Sequence, residues 1–203
     1  MILTTNYDTA LERAFEALCE PFDLLVYVPE LAHYVLFPWG DAAADAVADP
    51  IVDPQGASLS IRDDLRLDRT LIIKLHGGLA AHGGELEWSN GYVVTEDDYI
   101  DYPPGDVPRR VEDKLRRHRC LFLGYRLRDW NARVLLRRIW GDRRENTFWA
   151  VEDAPDLVEV SFWQKQPRSQ LLSQSPCVYA RALETLLVAW PAEPAAGAVV
   201  DDG

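Results

Sequence analysis

Cysteine is scarce in this chain, and what there is stands far apart. Cys19, Cys120 and Cys177 are spread over 203 residues with no Cys-x-x-Cys pair. A structural zinc knuckle needs ligands at short, paired spacing, so none is expected. Histidine offers no substitute, because His33, His76, His82 and His118 are scattered. An odd, sparse thiol count fits a reducing cytoplasm, the expected location. Basic charge is also in deficit: 21 Lys and Arg stand against 33 Asp and Glu, for a net charge of −12. A surface built to neutralise nucleic-acid phosphates is therefore disfavoured. Two basic clusters, at 109–119 and 133–144, read as solvated helix faces. Long apolar runs are missing as well. None approaches the ~20 residues of a membrane span. The first residues lack the basic region and apolar segment of a signal peptide.

What is present is enough apolar material for one domain with a real core, at 48% hydrophobic residues. Its most telling pattern occurs three times. Met1-Ile2-Leu3 runs into Thr4-Thr5-Asn6-Tyr7-Asp8, Leu71-Ile72-Ile73-Lys74-Leu75 into His76-Gly77-Gly78, and Cys120-Leu121-Phe122-Leu123 into Gly124-Tyr125. Each is a buried-type strand that delivers polar or glycine residues at its carboxyl end. In open parallel α/β sheets ligands bind at that edge. The pattern thus gathers Asn6, Asp8, His76 and Gly124 into one candidate site.

Between these blocks, strands alternate with helices, which predicts a mostly parallel sheet covered by helices on both faces. Ala10, Leu11, Ala14, Phe15 and Leu18 follow helical spacing. Leu24–Val28 reads as a second strand. Residues 38–66, rich in Pro, Gly, Ala and Asp, read as a variable, partly mobile insertion. Residues 80–92 suggest a hairpin or loop, and Thr95 a helix cap. A helix over about 107–118 precedes strand 120–123, and Asp129 is placed to cap another helix. Strand 147–151, a helix near 156–166, a short strand at 177–179 and a helix near 180–190 complete a domain over 1–190. The Ala-, Pro-, Gly- and Asp-rich tail 191–203 reads as disordered.

Taken singly, the site residues have plain explanations. Asn6 precedes a helix, which asparagine caps well, and Asp8 suits the positive end of a helix dipole. His76 stands before two glycines, whose missing side chains leave backbone open to a ligand. Its near-neutral pKa suits proton exchange with a hydroxyl. Gly124 permits close approach of a phosphate or ribose.

As a set, the blocks resemble the sirtuin-like family, in particular its bacterial branch of NAD-hydrolysing anti-phage defence proteins. Thr4-Thr5-Asn6-Tyr7-Asp8 is similar to the family's Thr-x-Asn-x-Asp block. Lys74-Leu75-His76-Gly77 is similar to the block that holds its histidine. Leu123-Gly124-Tyr125-Arg126-Leu127-Arg128-Asp129 resembles its late Gly-Tyr-Ser-Leu-x-Asp block, with Arg126 in the serine's place. The resemblance implies a Rossmann-like fold that binds NAD as substrate and cleaves the nicotinamide–ribose bond without a metal. It implies Asn6 and His76 as catalytic residues, and Thr5, Asp8, Gly77, Gly124, Tyr125 and Leu127 as cofactor contacts. Deacylating sirtuins carry a four-cysteine zinc module, which this sequence lacks, so deacylation is disfavoured. The family's first strand and Gly-rich phosphate loop lie upstream of the asparagine block, but here Asn6 follows Met1 by only five residues. The expectation is a truncated domain lacking that βα unit and its phosphate cradle. Its sheet edge would be exposed, open to a second copy or a partner chain. The alternative is a catalytically inactive nucleotide-binding or protein-interaction module.

Overall fold

The structure, a computed structural model, describes residues 1–38, 51–52, 69–78, 91–93, 98, 109–125, 133, 136, 148–166 and 168–190. The chain divides into two compact units, Met1–Arg116 with Val134–Gly141, and Arg117–Arg133 with Asp142–Gly203. That division runs inside the span the sequence suggests as one domain. Most of the 38–66 insertion and of the 80–92 loop, together with Thr95, Asp129 and the tail from Pro191, lies outside the described residues.

The first unit is built on a five-stranded sheet. In chain order its elements are β1 (Ile2–Thr4), α1 (Ala10–Ala17), β2 (Phe22–Val28), β3 (His33–Pro38), β4 (Ile51–Val52) and β5 (Thr70–Lys74). The order across the sheet is β1-β5-β2-β3-β4. β5 pairs in parallel with both β1 and β2, whereas β2–β3 and β3–β4 are antiparallel. All seven residues of β2 are buried, as expected of a strand covered on both faces. Leu11 and Phe15 of α1 pack on Phe22, Leu24, Val26 and Ile72. Burying each such side chain contributes about 1.5–3 kcal/mol. The expected apolar stripe of α1 is narrower than its spacing suggests, since Ala10, Ala14 and Leu18 are exposed.

β3 is an element the sequence reading leaves unassigned. A single 3₁₀ turn, Pro29–Leu31, and a left-handed Ala32 reverse the chain after β2. Tyr34, Val35 and Leu36 then bury themselves in register against Tyr27, Val26 and Leu25. The helix α2 (Arg109–Arg117) follows.

The second unit holds a three-stranded parallel sheet in the order β6 (Cys120–Leu123), β7 (Phe148–Glu152) and β8 (Ser169–Ser173). With it go α3 (Leu157–Gln164) and α4 (Pro176–Ala189). Its core is aromatic. Phe122 stands 5.1 Å from Trp163 and 6.4 Å from Phe148, centroid to centroid. The buried Trp163 indole donates to the buried Glu152 carboxylate at 3.1 Å. Asp156 caps α3 by accepting from Val158 and Glu159, while the Glu159 side chain accepts from the Asp156 N–H.

Two strand expectations are corrected here. The last strand is Ser169–Ser173, not 177–179. Cys177, Val178 and Tyr179 have strand-like side chains, but Pro176 in the first turn starts a helix through them. The strands ending near Thr5, Leu75 and Leu123 are also not three central neighbours. β1 and β5 are adjacent, but among the described residues β1 stands at the end of its sheet and β6 at the end of the other. Leu121 and Leu123 of β6 are exposed. The overall class is nonetheless as expected: α/β and Rossmann-like, with a mixed first sheet and a parallel second sheet flanked by helices. No helix among the described residues is long and apolar enough to cross a membrane.

Candidate functional site

The register of the first sheet brings two of the three sequence blocks together. Thr4 pairs with Lys74, and the Leu75 N–H donates to the Thr4 carbonyl at 3.0 Å. Thr5 and Asn6 therefore leave β1 at the sheet edge where Leu75 and His76 leave β5. Asn6 and His76 each lie two residues beyond a paired position.

Asn6 is not a helix cap. Helix α1 begins four residues later, at Ala10, with Thr9 in the capping position. The Asn6 backbone N–H is held by the Thr4 hydroxyl at 3.0 Å. The residue is exposed, and its side-chain amide is engaged by none of the described residues. Asp8 has the simpler role that its position suggests. Its Oδ1 accepts from the Ala10 N–H at 3.0 Å, which tightens the turn into α1.

His76 is 5% exposed. Its carbonyl accepts from the Val93 N–H at 2.9 Å, and Gly77 bridges to Tyr92. Segment 91–93 is therefore zipped along the histidine turn. Tyr7, between Asn6 and Asp8, is tied to the same segment. Its hydroxyl donates to the Val93 carbonyl at 2.6 Å, and its ring meets Tyr92 edge-on at 5.1 Å.

The two glycines after His76 serve packing within the protein. Gly77 has φ +82°, and a Cβ there would collide with the Gly91 carbonyl oxygen. At Gly78 a Cβ would lie 2.5 Å from Lys74 Cδ and 3.3 Å from the Tyr7 carbonyl oxygen. Both residues are buried. The Cβ side of both glycines is thus filled by protein.

Sequence reasoning missed what lies beneath this edge. Lys74 and Glu12 are buried, with Nζ 2.5 Å from Oε1. Lys74 also donates to the Asp8 carbonyl at 2.6 Å. A lysine inside a strand buried on both faces is the signal that could have found the pair, because such a charge requires an acidic partner.

Gly124 and Tyr125 belong to the second unit. Gly124 is exposed with φ +62°, and its N–H donates to the Val151 carbonyl at 2.9 Å. Tyr125 is half-buried, its ring 6.0 Å from that of Phe122. Leu127 lies outside the described residues. Burial pushes the nearby Cys120 thiol above its ordinary pKa. A groove of about 520 Å³, lined in part by Ala154, Pro155, Trp163 and Ser169, contains none of the expected site residues. Among the described residues, no group of three or more His, Cys, Asp or Glu is placed to hold a metal.

Residues 1–173 match the SIR2-like domain. The chain belongs to the SIR2-like family. None of the curated proteins matches it. Membership implies NAD-related chemistry, since SIR2-like domains bind NAD. At the first sheet edge an exposed Asn6 stands beside the buried His76 turn.

Proposed function

We propose that this SIR2-like chain hydrolyses NAD at the nicotinamide–ribose bond, with Asn6 and His76 as the catalytic residues. The observation that carries the reading is the state of Asn6. It is placed in register beside the His76 turn, it is exposed, and it is released from the capping role that would otherwise explain it. In the reaction the bond from ribose C1′ to the pyridinium nitrogen breaks, and its electron pair leaves with neutral nicotinamide. A bond from C1′ to a water oxygen forms, and the water's proton passes to solvent. The departing nicotinamide leaves cationic character on the ribose. His76 polarises or deprotonates a ribose hydroxyl, which stabilises that cation. Asn6 positions the ribose and the water. We assign Thr5, Asp8 and Gly77, together with Gly124, Tyr125 and Leu127 of the later block, to cofactor contacts on the resemblance. We place the activity in bacterial anti-phage defence on the same ground.

Incubating the purified chain with NAD, and separating nicotinamide and ADP-ribose by chromatography, tests the reading. Asn6→Ala and His76→Ala should each remove at least 90% of turnover while circular dichroism stays that of the wild type. Wild-type turnover in a folded His76→Ala chain would refute the assignment.

A second reading, a nucleotide-binding or interaction module without catalysis, is favoured by one observation. Among the described residues, β1 has a sheet neighbour on one side only. An open strand edge accepts a strand from a second copy or a partner. NAD binding by calorimetry without nicotinamide release would support this reading.

A further inference from the structure

We propose that Lys74 and Glu12 form a positioning pair that holds the asparagine loop against the histidine turn; the proposal rests on the assignment of Asn6 and His76 as the reacting pair. The Lys74 ammonium is enclosed by three segments. From α1 comes the Glu12 carboxylate, 2.5 Å away, with both side chains no more than 1% exposed. From the β1–α1 loop comes the Asp8 carbonyl, 2.6 Å away. From the histidine turn comes Gly78, where a Cβ would lie only 3.2 Å from Nζ. Lys74 is two residues before His76 in sequence, and it is bonded to a carbonyl two residues after Asn6. One side chain therefore fixes both catalytic segments to one point.

An ion pair is a costly way to join a helix to a sheet. Two charges must leave water, and apolar residues of similar volume commonly give equal or greater stability. Cohesion alone does not require the pair. What an apolar replacement could not do is bond the Asp8 carbonyl in a fixed direction, with the ammonium kept charged and in place by the Glu12 carboxylate. Neither Glu12 carboxylate oxygen has a hydrogen-bond partner among the described residues, so Glu12 meets the ammonium as a close charge pair. Reaction rates are sensitive to displacements of about an ångström in positioning groups.

The test uses the full 203-residue chain carrying Lys74→Met with Glu12→Leu, which replaces the pair by apolar volume. Two readouts are taken: steady-state NAD hydrolysis and residue-resolved amide exchange. The double variant should melt close to the wild type. Its kcat should fall at least tenfold, with KM for NAD changed less than threefold. The amides of Leu75 and Val93, which bond the Thr4 and His76 carbonyls, should exchange at least tenfold faster, while Leu24 and Val26 in β2 stay protected. Wild-type kcat in a folded double variant overturns the positioning role and leaves the NAD assignment standing. If the wild-type chain releases no nicotinamide, the NAD assignment fails, and exchange decides alone: unchanged protection at Leu75 and Val93 overturns the pair's role. Should the double variant not fold, Glu12→Asp takes its place, since it keeps the charge but withdraws it by one methylene. There a fivefold loss of kcat with KM within twofold is expected, and an unchanged kcat overturns the proposal.

Discussion

Replacing Gly77 by alanine is the sharpest test of how the histidine turn is built. Two costs arise at this position. With φ at +82° the backbone lies in the left-handed half of conformational space, where an L side chain costs roughly 1–2 kcal/mol. The new Cβ would also strike the Gly91 carbonyl oxygen, with Tyr92 Cα 3.3 Å away. Those atoms are backbone and cannot swing aside, so segment 91–93 must shift and strain its bonds to Tyr7 and His76. Overpacking of that kind costs about 1–3 kcal/mol. The sum is about 2–5 kcal/mol, or a fall of roughly 4–20 °C in melting temperature for a chain of this length. Gly124→Ala provides the comparison. Its φ is +62°, but among the described residues a Cβ there meets the Pro176 side chain alone, Cγ at 3.3 Å and Cβ at 3.9 Å. It carries the conformational cost and little else, about 1–2 kcal/mol. Thermal and urea unfolding of the two variants beside the wild type measure both. Equal losses, or a Gly77→Ala melting point within about 2 °C of the wild type, would refute the packing argument.

Further outcomes follow from the same structure. Asp156→Ala removes an acceptor serving the N–H groups of Val158 and Glu159; it should lower stability by about 1 kcal/mol in urea unfolding. Trp163→Phe removes the indole donor to the buried Glu152 carboxylate, with an expected loss of about 1–3 kcal/mol. Because burial raises the Cys120 pKa, less of it is thiolate at any pH below that value. Iodoacetamide at pH 8 should therefore label the exposed Cys19 and Cys177 well before Cys120, as peptide mass mapping will report.

The sequence made some of this legible and hid the rest for identifiable reasons. Strands β2, β5 and β7 contain the apolar runs Leu24–Val28, Leu71–Ile73 and Phe148–Val151, and the backbone has few other ways to bury them. The rule about strand ends places Asn6 and His76 at one edge, and the parallel pairing of β1 with β5 brings the ends of those two strands together. The antiparallel β3 went unread because a 3₁₀ turn with a left-handed alanine replaces the usual Gly or Asn turn signal. β8 went unread because Ser169-Gln170-Leu171-Leu172-Ser173 is short and only half apolar. The close packing at Gly77 and Gly78 was not legible, because a sequence does not reveal that residues 91–92 return against Gly77, or that Lys74 and Tyr7 lie against Gly78. The link between Lys74 and Glu12 joins positions 62 residues apart on different elements, and no local periodicity encodes it.

The mixed pairing around β2 also has a kinetic consequence. Its antiparallel partner, β3, is a few residues away across a single turn. Its parallel partner, β5, begins more than 40 residues further on, and β1 must wait for β5 across a separation of 70 residues. Loop closure is paid in chain entropy before distant contacts reward it. The β2–β3 hairpin is thus the natural nucleus, and the strand that carries Asn6 is the last to be seated beside the one that carries His76. A refolding chain should regain sheet signal before the Leu75 amide, which bonds the Thr4 carbonyl, gains protection from exchange.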